Sequence, residues 1–223
     1  MAYAWGQERL GDVCSFDKGQ GYSKENLVDD GQPIILYGRM YVQYESVIHD
    51  VDTFVPKGSQ GVFSKGNEVI IPASGETAED ISRASFVDKS GVLLGGDLNI
   101  LTPDGGIDPA FLAMEISSGK VKRDLSSKAQ GKTIVHIHKD DIASLEAGFP
   151  SLDEQRKISS VFLGIDSLLS LHQRKLDKLQ AIKKSLLQKM FPAEGEDRPQ
   201  IRFAGYTDAW GQESFASVFD FLS

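Results

Sequence analysis

From Pro150 to Phe191-Pro192, about forty residues, the helix-breaking punctuation that marks the rest of the chain falls away, with Gly164 its one glycine. Such a stretch predicts one long α-helix. Ser151 and Glu154 stand at capping-box spacing behind Pro150, so two otherwise unpaired backbone donors are satisfied where the helix begins. An apolar seam follows at Ile158, Phe162, Ile165, Leu169, His172, Leu176, Leu179, Lys183, Leu186 and Met190, in alternating steps of four and three. That spacing keeps a stripe facing a partner helix over several heptads. At 1.5 Å per residue the helix is a rod of roughly 60 Å, too long for one small domain to bury. The seam therefore needs a second helix or another chain. His172 and Lys183 interrupt it, either fixing helix register and direction or marking a splayed point.

Residues 17–149 read differently, as short apolar or β-branched runs separated by Gly, Pro and Asp. The runs at 33–38, 68–74, 83–87, 91–101 and 133–138 predict strands. One helix interrupts them, with Asp108 as cap, Pro109 at the first helical position and Gly119 as the stop. The fold class expected is α+β: a β-rich globular domain over 1–149, one long coiled-coil-type helix over 150–192, and a tail over 193–223. That tail is informative. AWGQERLGDVCSF at 4–16 recurs as AWGQESFASVFDF at 209–221, with seven identities in 13 including Trp5 and Trp210. The second copy follows IRFAGYTD, which has no counterpart before Ala4. The expectation is one complete unit plus the opening of a second, a truncated or excised part of a two-unit protein. The paired tryptophans are expected to anchor each opening.

Charge narrows the function. The net charge of −8 does not suggest a nucleic-acid partner at first sight, but residues 1–150 hold 14 Lys+Arg against 22 Asp+Glu while residues 120–139 hold six against one. This basic island is the strongest candidate for meeting phosphates. No apolar run approaches a membrane span, the start lacks the layout of a secretory signal, and one cysteine, Cys14, allows no internal disulfide. A cytoplasmic location without membrane contact is expected. The sequence carries no Gly-x-x-x-x-Gly-Lys-Ser/Thr loop, no Asn/Asp-Pro-Pro-aromatic signature and no Cys/His set at metal spacing, so no catalytic centre, metal or cofactor is expected.

PSLDEQRKI at 150–158, the heptad helix and its ending LLQKMFP at 186–192 resemble the central conserved region of type I restriction-modification specificity subunits. WGQERLG at 5–11 and IRFAGYTDAW at 201–210 look like the family's openings into its recognition domains. EVIIPASGETAEDISRASFV at 68–87 and QGKTIVHIHKDDI at 130–142 are similar to segments inside such a domain. The resemblance spans essentially the whole chain and implies a division of labour. This chain would read one half of a bipartite target in double-stranded DNA, a separate methyltransferase subunit would carry the chemistry, and a restriction/motor subunit would translocate and cut. A complete subunit reads two half-sites; here one reader is complete. Pairing of the helix with its copy in a second chain would give a two-fold homodimer that reads a palindromic split site. The resemblance also makes the helix a platform for the methyltransferase, with Asp153, Glu154, Gln155 and Arg156 as candidate contacts.

Phosphate contacts supply affinity, whereas base contacts supply specificity. Lys120, Lys122, Arg123, Lys128 and Lys132 are the phosphate candidates; the alternative is a solvated loop. Tyr37 and Arg39, in YGRM at a strand end, are the first candidates for base reading, since arginine pairs two-pronged with guanine. The alternative for Arg39 is an ion pair with nearby acids. Ser74, Gly75, Thr77 and Gln130 come next, as readers or as turn residues. His136 and His138 share a strand face but lack further ligands, so packing or phosphate proximity outranks metal. Two rival functions remain: a coiled-coil scaffold that ignores DNA, and the recognition piece of a fused methyltransferase-nuclease.

Overall fold

A computed structural model describes residues 5–131 and 133–218. The chain opens with β1 (Gly6–Arg9), α1 (Leu10–Val13) and β2 (Cys14–Lys18), then β3 (Gln32–Ile35), α2 (Arg39–Val42), β4 (Val47–Ile48), β5 (Phe54–Val55) and β6 (Val62–Lys65). It continues through β7 (Glu68–Pro72), β8 (Ser74–Gly75), α3 (Ala78–Ile81), β9 (Ser85–Val87), β10 (Ser90–Leu94) and β11 (Leu98–Pro103). The helices α4 (Pro109–Ile116) and α5 (Gly119–Lys128) precede β12 (Val135–His136), α6 (Lys139–Ala143) and β13 (Glu146–Phe149). The long helix α7 (Leu152–Lys189) and a single turn, α8 (Phe215–Val218), complete the described chain. The α+β class holds, and the long helix is unbroken over 38 residues.

A five-stranded sheet ordered β2-β11-β7-β9-β4 organises the globular part. Alternate side chains of a strand point to opposite faces, and here both faces are covered. Val69, Ile71 and Leu101 enter one core with Leu10, Leu112, Ile116, Val121 and Leu125. Ile70, Leu98 and Ile100 enter another with Ile35, Met40, Ile48 and Leu94. This is why β7 reads as an uninterrupted apolar run. A four-stranded sheet, β5-β3-β10-β6, borders the second core, and two-stranded ladders join β1 to β13 and β12 to β8. Two compact units result, one ending at Gly164 and one from Ile165 onward.

Several local expectations need correction. Gly119 does not end the helical region: α4 stops at Ser117, and Gly119, in the left-handed region at φ 54°, turns the chain into α5. Half of the basic island is therefore helix, held down by Val121 and Leu125 four residues apart. Residues 91–101 form two strands, because Gly95, Gly96 and Asp97 (φ 59°) turn between β10 and β11. Only Val135–His136 of the run at 133–138 is strand; His138 caps α6 instead. The turns α1, α2, α3 and α6 were not expected. Asp108 caps α4 as predicted, its carboxylate accepting from Phe111 N at 2.9 Å. At α7 the Ser151 hydroxyl accepts from Glu154 N at 3.4 Å.

Glu115 of α4 is half-buried, and desolvation raises its pKa against a weaker opposing bond from Gly148 N at 3.4 Å. A carboxyl whose pKa is raised by folding binds its proton more tightly in the folded state, so stability declines as pH rises through and above the ordinary carboxylate range. Glu115→Gln should raise the melting temperature at pH 7 and leave it unchanged near pH 3. Thermal melts at the two pH values check this.

Candidate nucleic-acid interface

Helix α5 carries four of the basic candidates. With Val121 and Leu125 turned inward, Lys120 and Arg123 lie on the outward face and Lys122 and Lys128 on its margins. Lys120 is held by Asp124 at 2.7 Å across one helical turn, and that hydrogen bond and charge raise its pKa. Among the described residues Lys122, Arg123 and Lys128 have no ion-pair partner. These three cations stand with one acid, Asp124, on a single short helix of a chain whose net charge is −8. Lys132 lies outside the described residues.

The end of α5 runs directly into a narrow β ladder. Gln130 N donates to His136 O at 3.0 Å, and His136 N donates to Gln130 O at 2.8 Å. His136 in turn pairs with Ser74, and Val135 with Gly75. The ladder thus brings Gln130 together with Ser74 and Gly75, which are distant from it in sequence. Their side chains are not equivalent. The Ser74 hydroxyl is 3.3 Å from an Asp97 carboxylate oxygen, and the Thr77 hydroxyl accepts from Asp80 N at 3.0 Å as the cap of α3. Both hold the loop. Gln130 is exposed, its main chain is pinned, and its amide has no partner among the described residues.

Sequence reasoning missed the aromatic brace beneath this ladder. Tyr41 donates its phenol proton to Ser74 O at 2.7 Å, and burial pushes that phenol up to about 12, so it remains a donor. Arg83 lies 5.4 Å from the centre of the Tyr41 ring and 5.6 Å from that of Tyr44, while donating to Met40 O at 3.0 Å and to Asp80. Tyr37 packs edge-on against Tyr41 at 6.3 Å and is 39% exposed, leaving one side open. Gly75 is the tight point. A Cβ there would meet the Tyr41 hydroxyl at 2.6 Å and the Ile81 Cβ at 3.2 Å. Gly75→Ala should displace Tyr41 and cost about 1–3 kcal/mol, as overpacking does, which a denaturant midpoint would reveal.

Arg39 is placed otherwise than a base reader requires. Its guanidinium bonds Glu45 at 2.7 Å, Asp52 at 2.8 Å and Asp50 O at 3.0 Å, with the side chain only 8% exposed. It stands at the start of α2, clamping the segment that follows, and the ion-pair alternative describes this geometry. Gln155 likewise cannot face a partner protein: it is 1% exposed, with its amide turned into the globular part. Asp153 and Arg156 are exposed, Asp153 being paired with Lys157 at 2.6 Å.

A polar cleft of about 520 Å³ opens beside the ladder, lined by Lys18, Asp97, Asn99, His136, His138 and Lys139 among others. No group of three or more His, Cys, Asp or Glu placed to hold a metal occurs among the described residues. Nor is any described helix long and apolar enough to cross a membrane. Along the middle of α7 the seam is exposed, Phe162 at 52%, Leu169 at 63% and Leu176 at 47%, while towards its end Leu179, Leu186 and Met190 line a cleft with Ile201, Phe203 and Trp210. Each repeated tryptophan meets a phenylalanine edge-on at 5.8 Å, Trp5 with Phe111 and Trp210 with Phe191.

Residues 4–181 match the family model described as type I restriction modification DNA specificity domain. The MjaVIII specificity subunit, a type I restriction enzyme component of Methanocaldococcus jannaschii, is 23% identical over 190 residues, covering 84% of this chain and 42% of that protein. The crystal structure of the HsdS subunit from Thermoanaerobacter tengcongensis superposes with a TM-score of 0.53 at 18% identity, over 86% of this chain and 46% of that one. The type I S subunit from M. genitalium gives 0.59 at 17%, over 84% and 46%. These two share the fold, and the chain spans less than half the length of each relative.

Proposed function

Because this chain belongs to the family of type I restriction modification DNA specificity domains, we propose that it is a non-catalytic reader of one half of a bipartite DNA target. In this reading α5 meets phosphates through Lys122, Arg123 and Lys128, with Lys120 as a weaker member because Asp124 already shares its charge. Gln130 and Tyr37 reach base edges, and Ser74, Gly75 and Thr77 shape the loop that presents them. The seam of α7 pairs with a second copy of itself, and the exposed Asp153 and Arg156 face a methyltransferase subunit. Methyl transfer and DNA cleavage belong to separate chains, and the complex works in the cytoplasm.

One observation carries the proposal: a helix with three cations that have no ion-pair partner among the described residues leads into a side chain, Gln130, whose main chain is fixed and whose amide has no partner among those residues. Glutamine pairs two-pronged with adenine, and such a pair is worth about 1–3 kcal/mol of discrimination. Fluorescence anisotropy on labelled duplexes tests it. The chain is expected to bind random duplex at low salt and to weaken steeply as salt rises. Gln130→Ala should keep that general affinity while relaxing preference at one position of the target. A chain that ignores duplex DNA at low salt is the scaffold alternative.

A further inference from the structure

The ladder that presents Gln130 holds a second open side chain on the same face. Gln130 and His136 exchange both of their backbone hydrogen bonds, at 3.0 and 2.8 Å, which makes them a hydrogen-bonded cross-strand pair. Side chains of such a pair stand on one face, with Cα atoms about 5.5 Å apart. His136 is exposed while Val135 and Ile137 on either side of it are buried, so the period of the strand turns its ring away from the core. Ile137 N donates to Ala73 O at 3.1 Å, and Asn99 donates its side-chain amide to Ile137 O at 3.2 Å. On its other edge His136 pairs with Ser74, whose carbonyl oxygen the Tyr41 phenol braces at 2.7 Å.

The other histidines of the globular part are engaged. His49 bonds Asp88 at 2.9 Å, and His138 stands at the start of α6, its main-chain N–H donating to Asp141 at 3.0 Å. The His136 ring has no hydrogen-bond or ion-pair partner among the described residues, and it lines the polar cleft beside the ladder. An open polar side chain on a pinned main chain is suited to base reading, because only the torsions of the ring remain to be fixed on contact. The cleft is not built for a phosphate. Asp17, Asp97 and Asp140 share its wall with Lys18 and Lys139, so the acids there offset the lysines.

We propose that His136 is a specificity-determining residue that reads guanine in the base pair next to the one read by Gln130. The inference rests on the DNA-reading proposal above and adds a second base pair to it. Successive base pairs rise by about 3.4 Å, and two side chains rooted about 5.5 Å apart close the difference by leaning together. The chemistry of the two side chains separates their targets. Glutamine carries a donor and an acceptor side by side and matches adenine, which shows the same pair in reverse in the major groove. An imidazole N–H donates alone. Guanine meets it with two adjoining acceptors, N7 and O6, whereas adenine sets an amino donor beside its N7.

The test incubates the full chain with a pool of randomised duplexes at low salt and sequences the bound DNA. Wild type should prefer guanine at one position by at least about fivefold, beside a position where it prefers adenine. His136→Ala should lower the guanine preference to about twofold or less, with the adenine preference and the affinity for random duplex unchanged. His136→Gln should move the preference at that position from guanine to adenine, which a merely structural role would not do. Gln130→Ala should erase the adenine preference alone. Because His136 is exposed, its variants should melt as wild type does. An equal loss of affinity for all duplexes in His136→Ala would make the ring a phosphate contact and overturn the proposal. An unaltered guanine preference, or a loss at a position that does not adjoin that of Gln130, would overturn it as well. A wild-type chain that binds duplex with no preference at any position would instead remove the DNA-reading proposal, and this one with it.

Discussion

Replacing Leu169 and Leu176 together by glutamate should leave the globular unit folded and abolish self-association of the chain through α7. The two leucines are 63% and 47% exposed and lie two helical turns apart on the seam, so they contribute nothing to the cores around the five-stranded sheet. In a two-fold pair four leucines would be covered, at about 1.5–3 kcal/mol each. Even the lower figure corresponds to about four orders of magnitude in the association constant, and four glutamates in the seam would add desolvation and repulsion. Light scattering after size exclusion should show a wild-type dimer and a monomeric variant at micromolar concentration, with unchanged melting of the globular unit. A clean wild-type monomer would overturn the two-fold pairing.

The second large effect concerns α5. Changing Lys122, Arg123 and Lys128 to alanine should weaken binding to every duplex alike and lower the slope of log affinity against log salt by about three, one for each phosphate contact. Those side chains lie on the surface of a helix secured by Val121 and Leu125, so folding should be untouched. A salt titration by anisotropy, with target and random duplex in parallel, measures both quantities. A shifted sequence preference with affinity intact would reassign these residues to base reading.

How much of this was legible in the sequence depends on whether the deciding partner is near in the chain. The long helix was, because capping residues, heptad spacing and the scarcity of breakers, Gly164 apart, are all local signals. The Asp108-Pro109 start of α4 was legible for the same reason. Helix α5 was not: Gly119 reads as a stop, and only the folded backbone shows it used as a left-handed turn between two helices. The clamp on Arg39 comes from Glu45 and Asp52, acids that reach it only once the intervening segment folds back. Gln155 was the hardest. It sits among Asp153, Glu154, Arg156 and Lys157, a setting that reads as solvent-exposed, yet its amide bonds residues near position 108. Its one local sign is Ser159 four residues on, a second polar side chain on the same helical face.

Charge gives the same lesson. A net charge of −8 argues against a DNA partner, but the acids are distributed along the chain, and Glu68 is committed inside the fold. Glu68 is 4% exposed, with its carboxylate accepting from the backbone N–H groups of Lys65, Gly66 and Asn67. On α5, Arg123 is exposed and Lys122 and Lys128 partly so, and none of the three has an ion-pair partner among the described residues. Local surface potential, rather than the sum over the chain, sets what a phosphate backbone encounters.

The most direct measurement is methylome sequencing of cells that express this chain with its cognate methyltransferase subunit. Two copies of one reader, held apart by paired rods, should yield a single split motif whose halves are inverted repeats around a spacer of constant length. A continuous motif, or a methylome unchanged by expressing the pair, would contradict the account.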